Sequence, residues 1–255
     1  MSVIFEEVSF SYPHGADVLR SLSFRLQPSD VLLVVGHNGA GKSSMLKLLN
    51  AINKPTAGRV LISGTSTKDQ STAALARLVS VTFQNPSDQI FASSVLKETE
   101  YGPKNLKRPD PRTLALRALE IFMLENLTDV HPYDLSFSQR KLLTLASAVA
   151  MQTAVLAFDE PSVSLSQPER VGLLRALQEL RHQGRTMLIV SHDLELFLPF
   201  STGVLILNRG SASFFGKPED LFHHNKELRA AGVRLPLSFR LRPYAGLPYI
   251  PVSVL

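Results

Sequence analysis

Two short stretches carry residues able to work on a phosphate. Residues 36–43 read GHNGAGKS and match G-x-x-x-x-G-K-[ST]. Gly36, Gly39 and Gly41 let the backbone bend until successive N–H groups point at phosphate oxygens. Lys42 would reach the outer phosphates of a nucleotide, and the Ser43 hydroxyl would ligate Mg²⁺. The expected binding turn is Gly36, His37, Asn38, Gly39, Ala40, Gly41, Lys42, Ser43 and Ser44. Further on, AVLAFDE delivers Asp159 and Glu160 to the end of an apolar run. Asp159 would hold the Mg²⁺ shell, and Glu160 would accept a proton from an attacking water. Alone, such a run is a capped strand end; after a phosphate loop it is the second half of a site.

The elements that must position these groups follow from the pattern. VLLVVG (31–36) is the kind of apolar, β-branched run found in a strand buried on both faces, and Lys42–Asn50 has helical spacing. A phosphate loop between strand and helix also gains the helix N-terminus as an anion site. Upstream, VIFEEVSFSY (3–12) and SLSFRLQP (21–28) read as antiparallel strands, joined by a loop carrying Pro13, His14 and Gly15. RVLISG (59–64) and LVSVTF (78–83) are further strands. From 85 to about 134 the chain is polar and Pro-punctuated. A helix opens there at Asp110-Pro111, with Leu114, Leu116, Leu119 and Phe122 as its apolar positions. Beyond it, 141–151 is helical, 154–159 a strand, 168–183 an amphipathic helix and 186–191 a strand. That alternation implies a parallel sheet with a mostly helical insert. Residues 204–216 read as a closing hairpin, and 217–255 as short helical pieces with a Pro-rich end.

Composition excludes several classes. The 255 residues suit one large α/β domain or a domain with an insert. With 44% hydrophobic and 19% charged residues, the chain is globular and not disordered. The net charge of +5 fits an anionic ligand or a membrane face. No run of five Lys or Arg occurs, which argues against nucleic acid. The absence of Cys removes disulfide, thiolate-zinc and thiol chemistry. The start, MSVIFEEVSF, does not read as a signal peptide, and no apolar run approaches the roughly 18 residues that span a bilayer. The expectation is a cytoplasmic chain, peripheral on the membrane, whose membrane role comes through partners.

The order of motifs resembles the ATP-binding cassette (ABC) ATPases. The chain supplies Tyr12, Gly36–Ser43, Gln84, LSFSQ (135–139), Asp159-Glu160, SLSQ (164–167) and His192, with Gln139 ahead of Asp159 by the spacing usual in that family. The resemblance covers about residues 3–225. It implies a P-loop parallel-sheet core, an N-terminal antiparallel β subdomain, a helical subdomain at roughly 85–150, and a short tail over 226–255. It further implies that Tyr12 stacks on adenine, that Gln84 contacts Mg²⁺ or the attacking water, and that His192 contacts the γ-phosphate. SFSYPHG, VTFQNPSDQIFASSVLKETEYGPKNL and KELRAAGVRLPLSFRL look like the ATPase subunits of energy-coupling factor and cobalt/nickel-type importers. Such a system takes up a vitamin or a metal ion. Two ATPases sit beneath a transmembrane coupling protein, which holds a small substrate-binding membrane protein.

Two motifs depart from the family pattern, at three positions. LSGGQ is replaced by Leu135, Ser136, Phe137, Ser138 and Gln139. In the family this stretch faces the partner subunit's ATP. Phe137 is tolerable if it points away from phosphate, but Ser138 brings a Cβ where glycine allows the closest backbone approach. Ser166 stands where an Asp usually crosses the dimer interface. Both changes weaken the site for the partner's ATP while this chain's own set is intact. The pattern favours a heterodimer with one strong site over a homodimer with two weak ones. An exporter ATPase and a largely non-hydrolytic ATP-binding subunit remain alternatives.

Overall fold

Val3–Ser11 (β1) and Asp17–Leu26 (β2) pair antiparallel. The structure, a computed structural model, describes residues 1–236. In β1 the buried residues run Val3, Phe5, then Val8 and Phe10, and the alternation slips at Glu7, where φ is 47° and the register shifts. β2 slips in the same way at Ser21, between buried Leu19 and Leu22. That slip corrects the expected start of β2, which begins at Asp17 and not at residue 21.

Val31–Val35 (β3) lies between two apolar clusters, with Val31, Leu33 and Val35 in one and Leu32 and Val34 in the other. The chain continues through Lys42–Leu49 (α1), Ala57–Ile62 (β4), Thr65–Ser66 (β5), Thr72–Leu75 (α2) and Val79–Thr82 (β6). β4 and β5 extend the first pair into the sheet β2-β1-β4-β5.

The stretch after β6 holds Val95–Asn105 (α3), Pro111–Ile121 (α4) and Phe137–Ala150 (α5). α3 was not separable from loop in the sequence. Its buried positions include Glu98, Thr99, Glu100 and Pro103, so the inward face is not apolar. Glu98 accepts from the backbone N–H groups of Phe91 (3.0 Å) and Ala92 (2.7 Å), which accounts for a buried acid there. α4 starts as expected, with Asp110 accepting from Thr113 N–H. Its buried face is Ala115, Ala118 and Leu119, with Phe122 just beyond, while Leu116 points outward. Of the expected stripe Leu119 and Phe122 are buried, while Leu116 is exposed and Ala115 and Ala118 complete the inward face. α5 begins at Phe137, four residues before the expected 141.

Val155–Asp159 (β7), Gln167–His182 (α6), Thr186–Val190 (β8), Leu194–Phe197 (α7), Gly203–Asn208 (β9), Ser211–Gly216 (β10) and Asn225–Ala230 (α8) complete the described chain. The second sheet runs β10-β9-β3-β8-β7-β6, parallel from β9 to β6, with β10 antiparallel at one edge. One face of it packs on α3–α6, the other on α1 and the antiparallel sheet. No described helix is long and apolar enough to cross a membrane. The Pro-rich end (242–255) lies outside the described residues.

Candidate functional site

β3, β8 and β7 are neighbours, so the segments leaving their carboxyl ends meet along one edge of the sheet. They carry Gly36–Ser43, Ser191-His192 and Asp159-Glu160. Together with Gln84 beyond β6 they line a cleft of about 730 Å³. Its walls include Asn38, Gly39, Gly41, Lys42, Ser43, Ser44, Gln84, Asp159, Glu160 and His192. Gly36, His37 and Ala40 stand behind the wall. A Cβ on Gly36 would lie 2.1 Å from the Leu207 carbonyl oxygen, so only glycine lets the turn press against β9. A Cβ on Gly39 (φ 80°) would meet nothing within 4 Å. The turn therefore encloses free space.

Lys42 Nζ donates to the carbonyls of Gly36 (2.6 Å) and His37 (3.0 Å), folding the turn over its own side chain. Burial lowers the Lys42 ammonium, and Glu160 and Asp159 oppose that. Burial raises the Asp159 carboxyl, against the Ser43 hydroxyl, Lys141 and Lys42. Glu160 is raised as well, chiefly by burial, with His192 as the main opposing group. Its Oε2 accepts from Ser191 Oγ and His192 N–H, both at 3.3 Å. Its Oε1 is buried and accepts no hydrogen bond; His192 Nε2 stands 3.4 Å away. A buried carboxylate in a cleft wall, with one oxygen unpartnered, suits a group that takes up a proton.

Ser43, Asp159 and Gln84 offer a hydroxyl, one carboxylate and an amide carbonyl, all hard oxygen donors suited to Mg²⁺. Among the described residues no cluster of three His, Cys, Asp or Glu could hold a metal. A cation at this edge therefore depends on phosphate oxygens for the rest of its shell, as Mg²⁺ in nucleotide sites does. Tyr12 is 42% exposed and does not line the cleft. Its hydroxyl lies 3.1 Å from Ser44 Oγ, which puts the ring one residue from the wall. The sequence analysis did not single out Val18 and Val163, which supply apolar surface at the rim. They are ordinary strand and loop valines, and nothing in their spacing marks them.

The ABC transporter family matches residues 19–163. The chain belongs to that family. It is an ABC ATPase, with the parallel-sheet cassette core and antiparallel β layer of the fold. The energy-coupling factor transporter ATP-binding protein EcfA of Methanothermobacter thermautotrophicus is 34% identical over 235 residues, 90% of this chain and 75% of that protein. The solved structure of cbiO1 from Clostridium perfringens, part of the ABC transporter complex cbiONQ, is 27% identical with TM-score 0.78, covering 94% of this chain and 98% of that one. A bacterial Atm1-family ABC exporter with ATP bound shares the fold at TM-score 0.80 and 21% identity, covering 91% of this chain and 42% of that one.

The ABC signature positions do not join the cleft. Leu135 is buried, Ser136 and Phe137 are exposed, and Ser138 and Gln139 are half-buried at the start of α5. Ser136 caps α5, accepting from Gln139 N–H (3.2 Å), while Gln139 Oε1 accepts from Ser136 N–H (2.9 Å). Ser138 Oγ sits 3.1 Å from Ser136 Oγ. At the start of α6, Glu169 Oε2 accepts from both Ser166 N–H (2.6 Å) and Ser166 Oγ (2.7 Å). Burial acts to raise the Glu169 carboxyl, but hydrogen bonds from Ser166 and Ser138 outweigh it and hold it below its ordinary value. Ser166 thus binds a carboxylate of its own chain.

Proposed function

We propose that this chain is the ATP-hydrolysing subunit of an importer of the energy-coupling factor type, taking up a vitamin or a transition-metal ion. It would work on the cytoplasmic face of the membrane, beside a second ATPase, a transmembrane coupling protein and a substrate-binding membrane protein. The EcfA likeness over nine-tenths of the chain and the likeness to cbiO1 support the importer class. The observation that carries the catalytic reading is Glu160 in the wall of the cleft, with one carboxylate oxygen, Oε1, buried and unbonded.

On this reading the Gly36–Ser44 turn holds the ATP phosphates through its amides, with Lys42 leaving the Gly36 and His37 carbonyls to reach the outer phosphates. Tyr12 covers adenine. Ser43, Asp159 and Gln84 would hold Mg²⁺, which when bound neutralises charge on the phosphate oxygens. Glu160 takes the proton of the attacking water, and His192 orients the Glu160 carboxylate and faces the γ-phosphate. Ser136–Gln139 and Ser166 meet the ATP held by the second subunit, and they meet it weakly.

The test is a tagged pull-down from detergent-solubilised native membranes. A second ATPase and integral membrane proteins in the eluate support the importer reading. A chain that elutes alone, or with soluble proteins only, removes it.

A further inference from the structure

Among the described residues, Lys141 is the charged side chain with no exposure at all (0%). It lies on the buried side of α5, beside Leu142, Thr144 and Leu145. An ammonium held in the interior costs several kcal/mol unless it is fully bonded and paired. Here its three donors have three acceptors: the carbonyls of Phe83 (3.1 Å), Gln84 (2.8 Å) and Asp159 (3.0 Å). These come from two separate segments. The β6–β7 ladder ends at Thr82–Phe158, so Phe83, Gln84 and Asp159 lie just where strand pairing stops. Two of the three residues project their side chains into the cleft. The third anchor is α5 itself, which packs on α3 and α4 and is capped by Ser136.

We infer that Lys141 is a positioning residue that fixes Gln84 and Asp159 relative to each other and ties both to the helices α3–α5. A methionine would fill the same volume without the cost of burying charge. A bare packing role therefore does not explain a lysine whose every donor is spent on the backbone of cleft residues. The inference rests on the proposed role of that cleft, and it makes Lys141 the link through which a shift of the helical layer reaches Gln84. Residues that orient ligands from behind change metal affinity by about 10- to 100-fold when replaced.

The test uses the full chain and needs no partner. ATP affinity is measured with Mg²⁺ and with a chelator, for the wild type and Lys141→Met. Hydrogen exchange is followed at residues 83–90 without nucleotide. The expected result is a Mg²⁺-dependent gain in ATP affinity cut by about tenfold or more. Chelator-state affinity stays within about twofold, because no phosphate-turn contact is touched, and exchange at 83–90 rises. If Lys141→Met does not fold, Lys141→Gln, which keeps two donors, is expected to show a smaller cut in the same gain. An undiminished Mg²⁺ gain overturns the inference, as does an equal loss with and without Mg²⁺. A wild type with no Mg²⁺ gain overturns the reading of the cleft itself, and the inference with it.

Discussion

The start of α1 and the start of α5 are both helix N-termini, and both belong to ATP chemistry in an ABC ATPase. They are built differently. α1 has Gly41 at its cap in a left-handed conformation, with no side chain on its free N–H groups. Its first amides are left for an anion, and Gly39 keeps the space before them open. α5 is closed on itself by the reciprocal Ser136–Gln139 bonds, with the Ser138 hydroxyl laid on Ser136. Its neighbour α6 is closed by Glu169, which adds a negative charge. An anion arriving at α1 finds donors waiting. One arriving at α5 must compete with the chain's own acceptors. The difference teaches that the substitutions at 138 and 166 do more than remove glycine and aspartate, because the Ser166 hydroxyl binds the protein's own carboxylate and the Ser138 hydroxyl lies on the Ser136 cap.

The largest effect that sharpens this contrast is at Glu160. Replacement by Gln should lower ATP turnover by about 10²- to 10⁴-fold while leaving ATP bound. The wild-type rate should fall with acid below an apparent pKa above 4.5, since burial raises this carboxyl. The sign for stability is the opposite of a paired acid. The contribution of this group is complete below 4.5 and is lost as pH rises through its raised folded value. Glu160→Gln should therefore melt higher than wild type at neutral pH, with the gap closing in acid.

Next comes Tyr12→Ala. Base stacking on an aromatic is worth about 1–3 kcal/mol, so ATP affinity should drop about 5- to 150-fold by direct titration. Retained affinity would move adenine away from Tyr12 and onto the rim formed by Val18. The smallest effect is Ser138→Gly, which frees the start of α5. An anion at a helix N-terminus gains about 0.3–1 kcal/mol. Turnover of the partner's ATP should then rise about two- to fivefold. No change, measured in the paired complex, would leave the self-closed α5 without functional weight.

The side of this comparison nearest α1 was the more legible in the sequence. Glycine spacing, an apolar strand and two terminal acids are local signals, and their chemistry sits on consecutive residues. Gln84 and His192 were named only through the resemblance to the ABC ATPases, and the sheet brings both to the same cleft. The helical layer was harder to read. α3 hides its inward face behind Glu98, Thr99 and Glu100, and α4 turns alanines inward. Lys141 was passed over because a lysine in a helix reads as a solvent-facing residue until its three carbonyl partners, 18 and more residues away, are brought to it by the fold.

The most direct measurement is steady-state ATP turnover of this chain paired with the second ATPase that co-purifies with it, with the Glu-to-Gln change placed in one subunit at a time. The account predicts that Glu160→Gln in this chain removes most of the turnover, and that the matching change in the partner removes little. Equal losses from the two placements would contradict it.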